Sequence, residues 1–307
     1  MDKKRSDFIV KASWVGIAGN AILAIAKVIA GFLSGSLAVI GDGIDSATDV
    51  LTFVITMIAA KFVIKPPNKR YPYGYKRAET VAANILALII FFVGAQLLLS
   101  SVSRLFFEEY TKVPSNLAIY VTLFSIAGKM ILAWWQFRAG KRVNSTMLRV
   151  NAVNMRNDII ISCAVLIGLM ISIYYQIPQV DLILGILVSL WIIKVGIEIL
   201  MDTNRELMDG LKNTGIYKKI IEVVDNTEGV DNPHRIRIRQ HSYMYVIGLD
   251  IEVDPEMSVK ESHNLANKLQ ENILENVDNV YDIMVHIEPH GNDEDEQFGI
   301  SKYNIQY

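Results

Sequence analysis

The chain has 307 residues, of which 51% are hydrophobic and only 20% charged, with a formal net charge of −2. A wholly soluble chain normally carries more charge, so this composition argues for a membrane protein with a water-exposed part. Its one cysteine, Cys163, lies in an apolar run, which excludes an intramolecular disulfide and a cysteine-rich zinc knuckle.

Six apolar stretches are each long enough to cross a hydrocarbon layer of roughly 30 Å as helices: 12–33, 37–62, 79–104, 115–138, 149–174 and 180–201. The basic start MDKKRSD resembles that of a signal peptide, but the apolar stretch behind it is too long and lacks a clear cleavage site. It is read as a retained first span. Ser34-Gly35-Ser36, Pro66-Pro67, Pro114-Ser115, Gly140 and Pro178 punctuate the spans. The connection after the second span carries Lys61, Lys65, Lys69, Arg70, Lys76 and Arg77, and that after the fourth carries Arg138, Lys141, Arg142 and Arg149. The other connections hold only Arg104 and Lys112, so the excess of positive charge predicts that both termini face the cytoplasm.

Ionisable side chains inside spans cost about 2.5–3.5 kcal/mol each, which makes them functional candidates. Asp42, Asp45 and Asp49 lie in the second span, and the last two are one helical turn apart on one face. The fifth span repeats the spacing with Asn154 and Asp158. Two neighbouring helices would thus offer two oxygen donors each to one cation. Asp42, nearer the start of its span, could be a ligand, support one, or be structural. Lys27, Lys129 and Lys194 are expected to snorkel or pair, and Asn20, Asn84 and Gln96 to hydrogen-bond between helices.

Beyond about residue 202 the pattern changes to a small α+β unit, αββαβ. GIYKKIIEVVDNT reads as a helix, HRIRIRQH as an alternating strand and YMYVIGLDIEVD as a second strand. SVKESHNLANKLQENILENV reads as a helix opened by a capping box of Ser258 and Glu261, and VYDIMVHIEP as the last strand. The predicted domains are 1–205 for the membrane part, 206–291 for the cytoplasmic part and 292–307 for a polar, acidic tail without periodicity that suits a mobile segment.

Three stretches, SGSLAVIGDGIDSATDV, RYPYGYKRAE and NAVNMRNDIIIS, resemble the cation diffusion facilitator family, and the resemblance covers nearly the whole chain. It implies a proton-coupled exporter of divalent metals, not an enzyme. The implied architecture is six transmembrane helices followed by a ferredoxin-like, metallochaperone-like cytoplasmic domain that forms a homodimer. In the family, Asp45, Asp49 and Asp158 match the aspartates of the transport site, while Asn154 stands where zinc-transporting members have histidine. An all-oxygen site suits harder ions such as Mn(II), with Fe(II) and Zn(II) as alternatives, because zinc favours nitrogen or sulfur donors. Tyr71 and Tyr75 replace histidines of an accessory site in some zinc transporters. The resemblance also suggests a charge pair of Arg77 with Asp209 across a dimer. It further implies regulatory divalent-metal binding by His234, Asp250, His263, His286 and Glu288 in the cytoplasmic domain, whereas His241 and His290 are expected to be ordinary surface residues. No resident cofactor and no nucleic-acid partner are expected, and the bilayer is that of the cell (inner) membrane. An intramembrane aspartyl protease is disfavoured because Gly41-Asp42-Gly43 does not form its G-x-G-D pattern. A membrane-tethered metal sensor is disfavoured because buried aspartates do not suit a passive anchor.

Overall fold

The computed structural model describes residues 3–301 except 64, 66–67, 73, 76, 108–112, 144–145, 212, 242–243 and 292–298. Lys76, Lys112 and most of the expected tail therefore lie outside the described residues. The chain divides into two compact units, one of residues 1–60 and 82–200 and the other of residues 61–81 and 201–307.

In the first unit the apolar stretches form α1 (Lys3–Ser34), α2 (Leu37–Val63), α3 (Ala78–Phe107), α4 (Leu117–Arg142), α5 (Thr146–Tyr174) and α6 (Gln179–Leu207). The helices outrun the apolar stretches at several ends. A helix has no reason to stop where its side chains turn polar, and Lys141 and Arg142 in the last turn of α4 face its negative dipole end. Among the described residues, five helices are long and apolar enough to cross a membrane, namely α1 and α3–α6. The sixth, α2, carries the three aspartates.

Leu37, Ala38, Val39 and Ile40 of α2 pack with Leu86, Ile90 and Leu97 of α3 and Leu182, Val188 and Ile192 of α6. Buried Asp181 of α6 fixes the start of α2: one carboxylate oxygen accepts from the Ser36 hydroxyl at 2.5 Å and the other from the Leu37 amide at 3.0 Å. The Ser36 hydroxyl oxygen in turn accepts from the Val39 amide at 3.1 Å. Orphan amides at a buried helix start need such acceptors, because no water reaches them. On the other side, α1 and α2 cross with their backbones nearly touching. A Cβ on Gly31 would lie 2.8 Å from the Ile40 nitrogen, and one on Gly43 would lie 2.9 Å from the Val28 nitrogen. Only glycine permits that approach.

In the second unit α7 (Gly215–Asp225), β1 (Asp231–His241), β2 (Met244–Val253), α8 (Val259–Asn276) and β3 (Val280–Pro289) reproduce the expected order. The sheet order is β1-β2-β3, with β1 and β2 antiparallel and β2 and β3 parallel. A parallel return needs a crossover, which α8 supplies. The capping box at Ser258 and Glu261 is present. Ile220, Ile221 and Val224 of α7 and Leu269 and Ile273 of α8 pack with Ile236, Ile238, Ile247, Leu249 and Ile251. One sheet face is therefore apolar, and alternation sends Asp250 and Glu252 to the other, where they are nonetheless buried. Ile300 pairs with Ile236 in an isolated antiparallel bridge, so the chain just beyond 298 lies along β1.

Candidate functional site

The polar side chains of the first unit meet between α1, α2, α4 and α5. Lys27 of α1 and Lys129 of α4 are both fully buried. The Lys27 ammonium lies 2.7 Å from Asp42 Oδ2, within ion-pair distance though not aligned as a hydrogen bond, and donates to the Ser162 hydroxyl at 2.8 Å. Ser162 donates onward to Asp42 Oδ1 at 2.9 Å. Asp42 is thus committed to holding α1, α2 and α5 together. Lys129 bonds to Asp158 Oδ2 at 2.8 Å and to the Ser46 hydroxyl at 2.9 Å, and Ser46 donates to the Asp42 carbonyl at 2.9 Å. The expectation that these lysines pair is met, with partners that spacing does not name.

The carboxyls of Asp49 on α2 and Asp158 on α5 lie within interaction range of one another, and Asp45 lies within electrostatic reach of both. Asp45 and Asp158 are half-buried, whereas Asp49 and Asn154 are exposed. The structure therefore brings Asp49 and Asp158 together and places Asp45 beside them. Asn154 is one turn from Asp158 on α5, and the structure assigns it no contact with the three aspartates. Among the described residues neither Asp45 nor Asp49 has an ion-pair partner. Two lysines face four aspartates in this cluster, which leaves two carboxylates uncompensated when all are ionised. That deficit equals the charge of one divalent cation.

The second unit holds another cluster on its polar sheet face. His234 of β1, Asp250 of β2 and Glu288 of β3 are buried, and each offers a ligand atom within 4.8 Å of the other two. His234 reaches this face through a β-bulge. Three steps from His234 to Arg237 on β1 match two from Asp250 to Gly248 on β2, and Arg235 takes a φ of 46°. Simple alternation in HRIRIRQH would put His234 on the apolar face beside Ile236 and Ile238; the extra residue turns it over. His234 Nδ1 lies 2.6 Å from the Asn232 carbonyl, which requires that nitrogen to carry the proton and frees Nε2, 3.2 Å from Glu288 Oε2, to act as a ligand. One nitrogen and carboxylate oxygens on rigid strands fit a divalent transition metal. Arg235 lies 3.0 Å from Asp250 Oδ2 and offsets part of its charge.

Of the other expected members, His286 is exposed but lies 3.3 Å from Glu288 Oε1. His263 sits exposed on α8, hydrogen-bonded with Asn267 at 3.2 Å, and does not join the cluster. The side chain of His241 lies outside the described residues. His290, expected as ordinary surface, lies 3.5 Å from Glu252 Oε2. Glu252 also accepts from Asn232 at 2.5 Å and from the Gly291 amide at 3.1 Å. Burial opposes charge on Glu252, but these partners and nearby His234 outweigh it and hold the carboxyl below the ordinary glutamate range. Sequence reasoning did not single out Glu252; its signal was an acid two residues from Asp250 on the same strand face. Arg77 and Asp209 are in contact within one chain. Arg77 also donates to the Leu207 carbonyl at 3.1 Å, and Arg239 of β1 lies 3.5 Å from the other Asp209 oxygen.

Both parts of the chain have counterparts among known proteins. Residues 13–208 match the family model described as the cation efflux transmembrane domain, and residues 213–290 match that of the cation efflux protein, cytoplasmic domain. The chain is 32% identical over 281 residues to an uncharacterized transporter of Methanocaldococcus jannaschii, covering 89% of this chain and 96% of that one. It is 26% identical over 299 residues to the manganese efflux system protein MneP of Bacillus subtilis, covering 94% and 99%. The C-terminal part is 42% identical to the metal-bound C-terminal domain of the CzcD transporter from Thermotoga maritima, covering 27% of this chain and all of that one, with a TM-score of 0.26.

Proposed function

The chain belongs to the cation efflux family of membrane transporters, and from that membership we propose that it exports Mn(II) from the cytoplasm in exchange for protons, as a homodimer. The observation that carries this reading is the convergence of Asp45 and Asp49 of α2 with Asp158 of α5. A proton and a metal taken up by the same carboxylate oxygens exclude one another, so loading one expels the other. Asp45, Asp49, Asn154 and Asp158 supply the transport ligands, and the exposure of Asp49 and Asn154 leaves that side open for the ion.

In this reading α2 is a sixth span. Its aspartates are tolerated in a bilayer because Asp42 is paired with Lys27, and Asp45 and Asp49 adjoin Asp158 and Lys129 of the polar cluster. Both termini and the domain from about residue 206 face the cytoplasm, and the membrane is the cell membrane. Manganese is favoured by the oxygen-only donor set and by the manganese efflux protein among the relatives. The His234, Asp250 and Glu288 cluster takes a regulatory divalent metal. Such a metal alters transport only if it binds one arrangement of the dimer more tightly than another.

The test is metal-driven proton flux in proteoliposomes. Asp49→Ala should abolish Mn(II)-dependent flux while the dimer stays folded; undiminished flux would place the transport ligands elsewhere.

A further inference from the structure

The polar cluster contains a positive charge that a cation-binding site would not obviously want. Lys129 comes from α4, a helix that supplies none of the candidate ligands, and its ammonium reaches between α2 and α5 to bind Ser46 and Asp158. The Ser46 hydroxyl spends its proton on the Asp42 carbonyl, so its oxygen is oriented to accept from Lys129. The lysine is fully buried and held at two points, which fixes the charge in place. It is not a floating side chain that an incoming ion would sweep aside.

We infer that Lys129 is a specificity-determining residue of the transport site: it occupies one Asp158 oxygen and sets a fixed positive charge beside the ion. The inference rests on the proposed transport role of Asp158. A carboxylate has two oxygens, and with one lone pair of Oδ2 taken by Lys129 at 2.8 Å and the ammonium beside it, Oδ2 is the poorer of the two for a metal. Calcium takes six to eight oxygens, often from bidentate carboxylates, whereas smaller ions are satisfied by fewer donors. Lys129 therefore discriminates against calcium by weakening bidentate coordination through Asp158. The same charge weakens binding of every divalent ion and thereby speeds its release. At about 6 Å from a divalent ion, even with water-like screening, a unit charge changes affinity by about tenfold.

The experiment uses the full chain in proteoliposomes and measures Mn(II) uptake kinetics with and without Ca(II). Lys129→Gln removes the charge and should lower the Mn(II) KM about tenfold, lower the maximal rate, and make Ca(II) an inhibitor. Lys129→Arg should act in the opposite direction on KM, because a planar guanidinium can engage both Asp158 oxygens at once. A merely structural lysine would give two variants with reduced rates and no opposed KM shifts, and that result overturns the inference. Unchanged KM and continued indifference to Ca(II) in Lys129→Gln overturns it as well. If Lys129→Gln does not fold, Lys129→Met keeps the aliphatic stem and repeats the measurement with the same expected KM. Asp49→Ala in parallel separates the two readings: flux that persists there sinks the transport site itself, whereas flux lost there with normal kinetics in Lys129→Gln sinks only the role of Lys129.

Discussion

Replacing Asp42 with asparagine leaves the Lys27 ammonium charged inside the bundle with no counter-ion. Asp42 and Lys27 have side-chain exposures of 1% and 0%, so water cannot substitute for the lost carboxylate. Asparagine still offers Ser162 an acceptor, so the 2.9 Å hydrogen bond is kept and the loss is chiefly electrostatic. Breaking a buried ion pair by removing one partner costs about 3–5 kcal/mol, because the other charge stays behind. For a unit of this size each kcal/mol moves the unfolding midpoint by roughly 2–4 °C, which gives a fall of roughly 6–20 °C. Removing both charges in Lys27→Met/Asp42→Asn should restore most of it, since neither charge then remains unpaired. The assay is thermal unfolding of the detergent-solubilised chain by tryptophan fluorescence, on both single variants and the double. A midpoint within about 1 °C of the parent for Asp42→Asn, or a double variant no better than either single, would refute the pairing argument. A stable Asp42→Asn that has lost metal flux would instead make Asp42 a ligand.

Three further outcomes are expected. Asn154→His should raise the preference for Zn(II) over Mn(II) in competition flux, by about tenfold, because imidazole nitrogen replaces amide oxygen; unchanged selectivity would mean that Asn154 does not touch the ion. His234→Ala should weaken divalent-metal binding at the cytoplasmic cluster by more than about tenfold, measured by calorimetry on the full chain carrying Asp49→Ala to silence the other site. Glu252 has its folded-state carboxyl held below the ordinary value, so its stabilising contribution is complete above the unfolded glutamate value of about 4.3 and is lost as pH falls below it. The protection of β2 amides, their exchange corrected for its intrinsic pH dependence, should accordingly fall on acidification in the parent, and Glu252→Gln should flatten that dependence.

Much of this architecture is written locally. Runs of apolar residues between Gly and Pro breakers gave the long helices, and period-two alternation gave β2 and β3 at nearly the observed bounds. The Ser258–Glu261 cap needs only three residues of spacing to be read, and it is present. The proximity of the polar groups was legible in part: i,i+4 aspartates on α2 and their counterpart on α5 pointed to one place, and Asp49 lies within interaction range of Asp158. What escaped depends on contacts far apart in the chain. Lys27 finds Ser162 135 residues away, and Asp181 caps α2 from 144 residues away; no local rule specifies either. The bulge that carries His234 to the polar face is a different failure. Its surrounding residues alternate perfectly, and only pairing against β2 reveals that one residue is surplus.

The contact between Gly43 and Val28 has a mechanical consequence. Gly43 stands between Asp42 and Asp45, and the spacing of the two helix axes there is set by the missing methyl group rather than by compressible side chains. The crossing works as a hard stop: any added carbon must push α2 outward, and the aspartates on either side travel with it. Since the Lys27 clamp and an ion's ligand sphere both tolerate only small displacements, a single methyl at residue 43 would detune two sites at once without touching a charge.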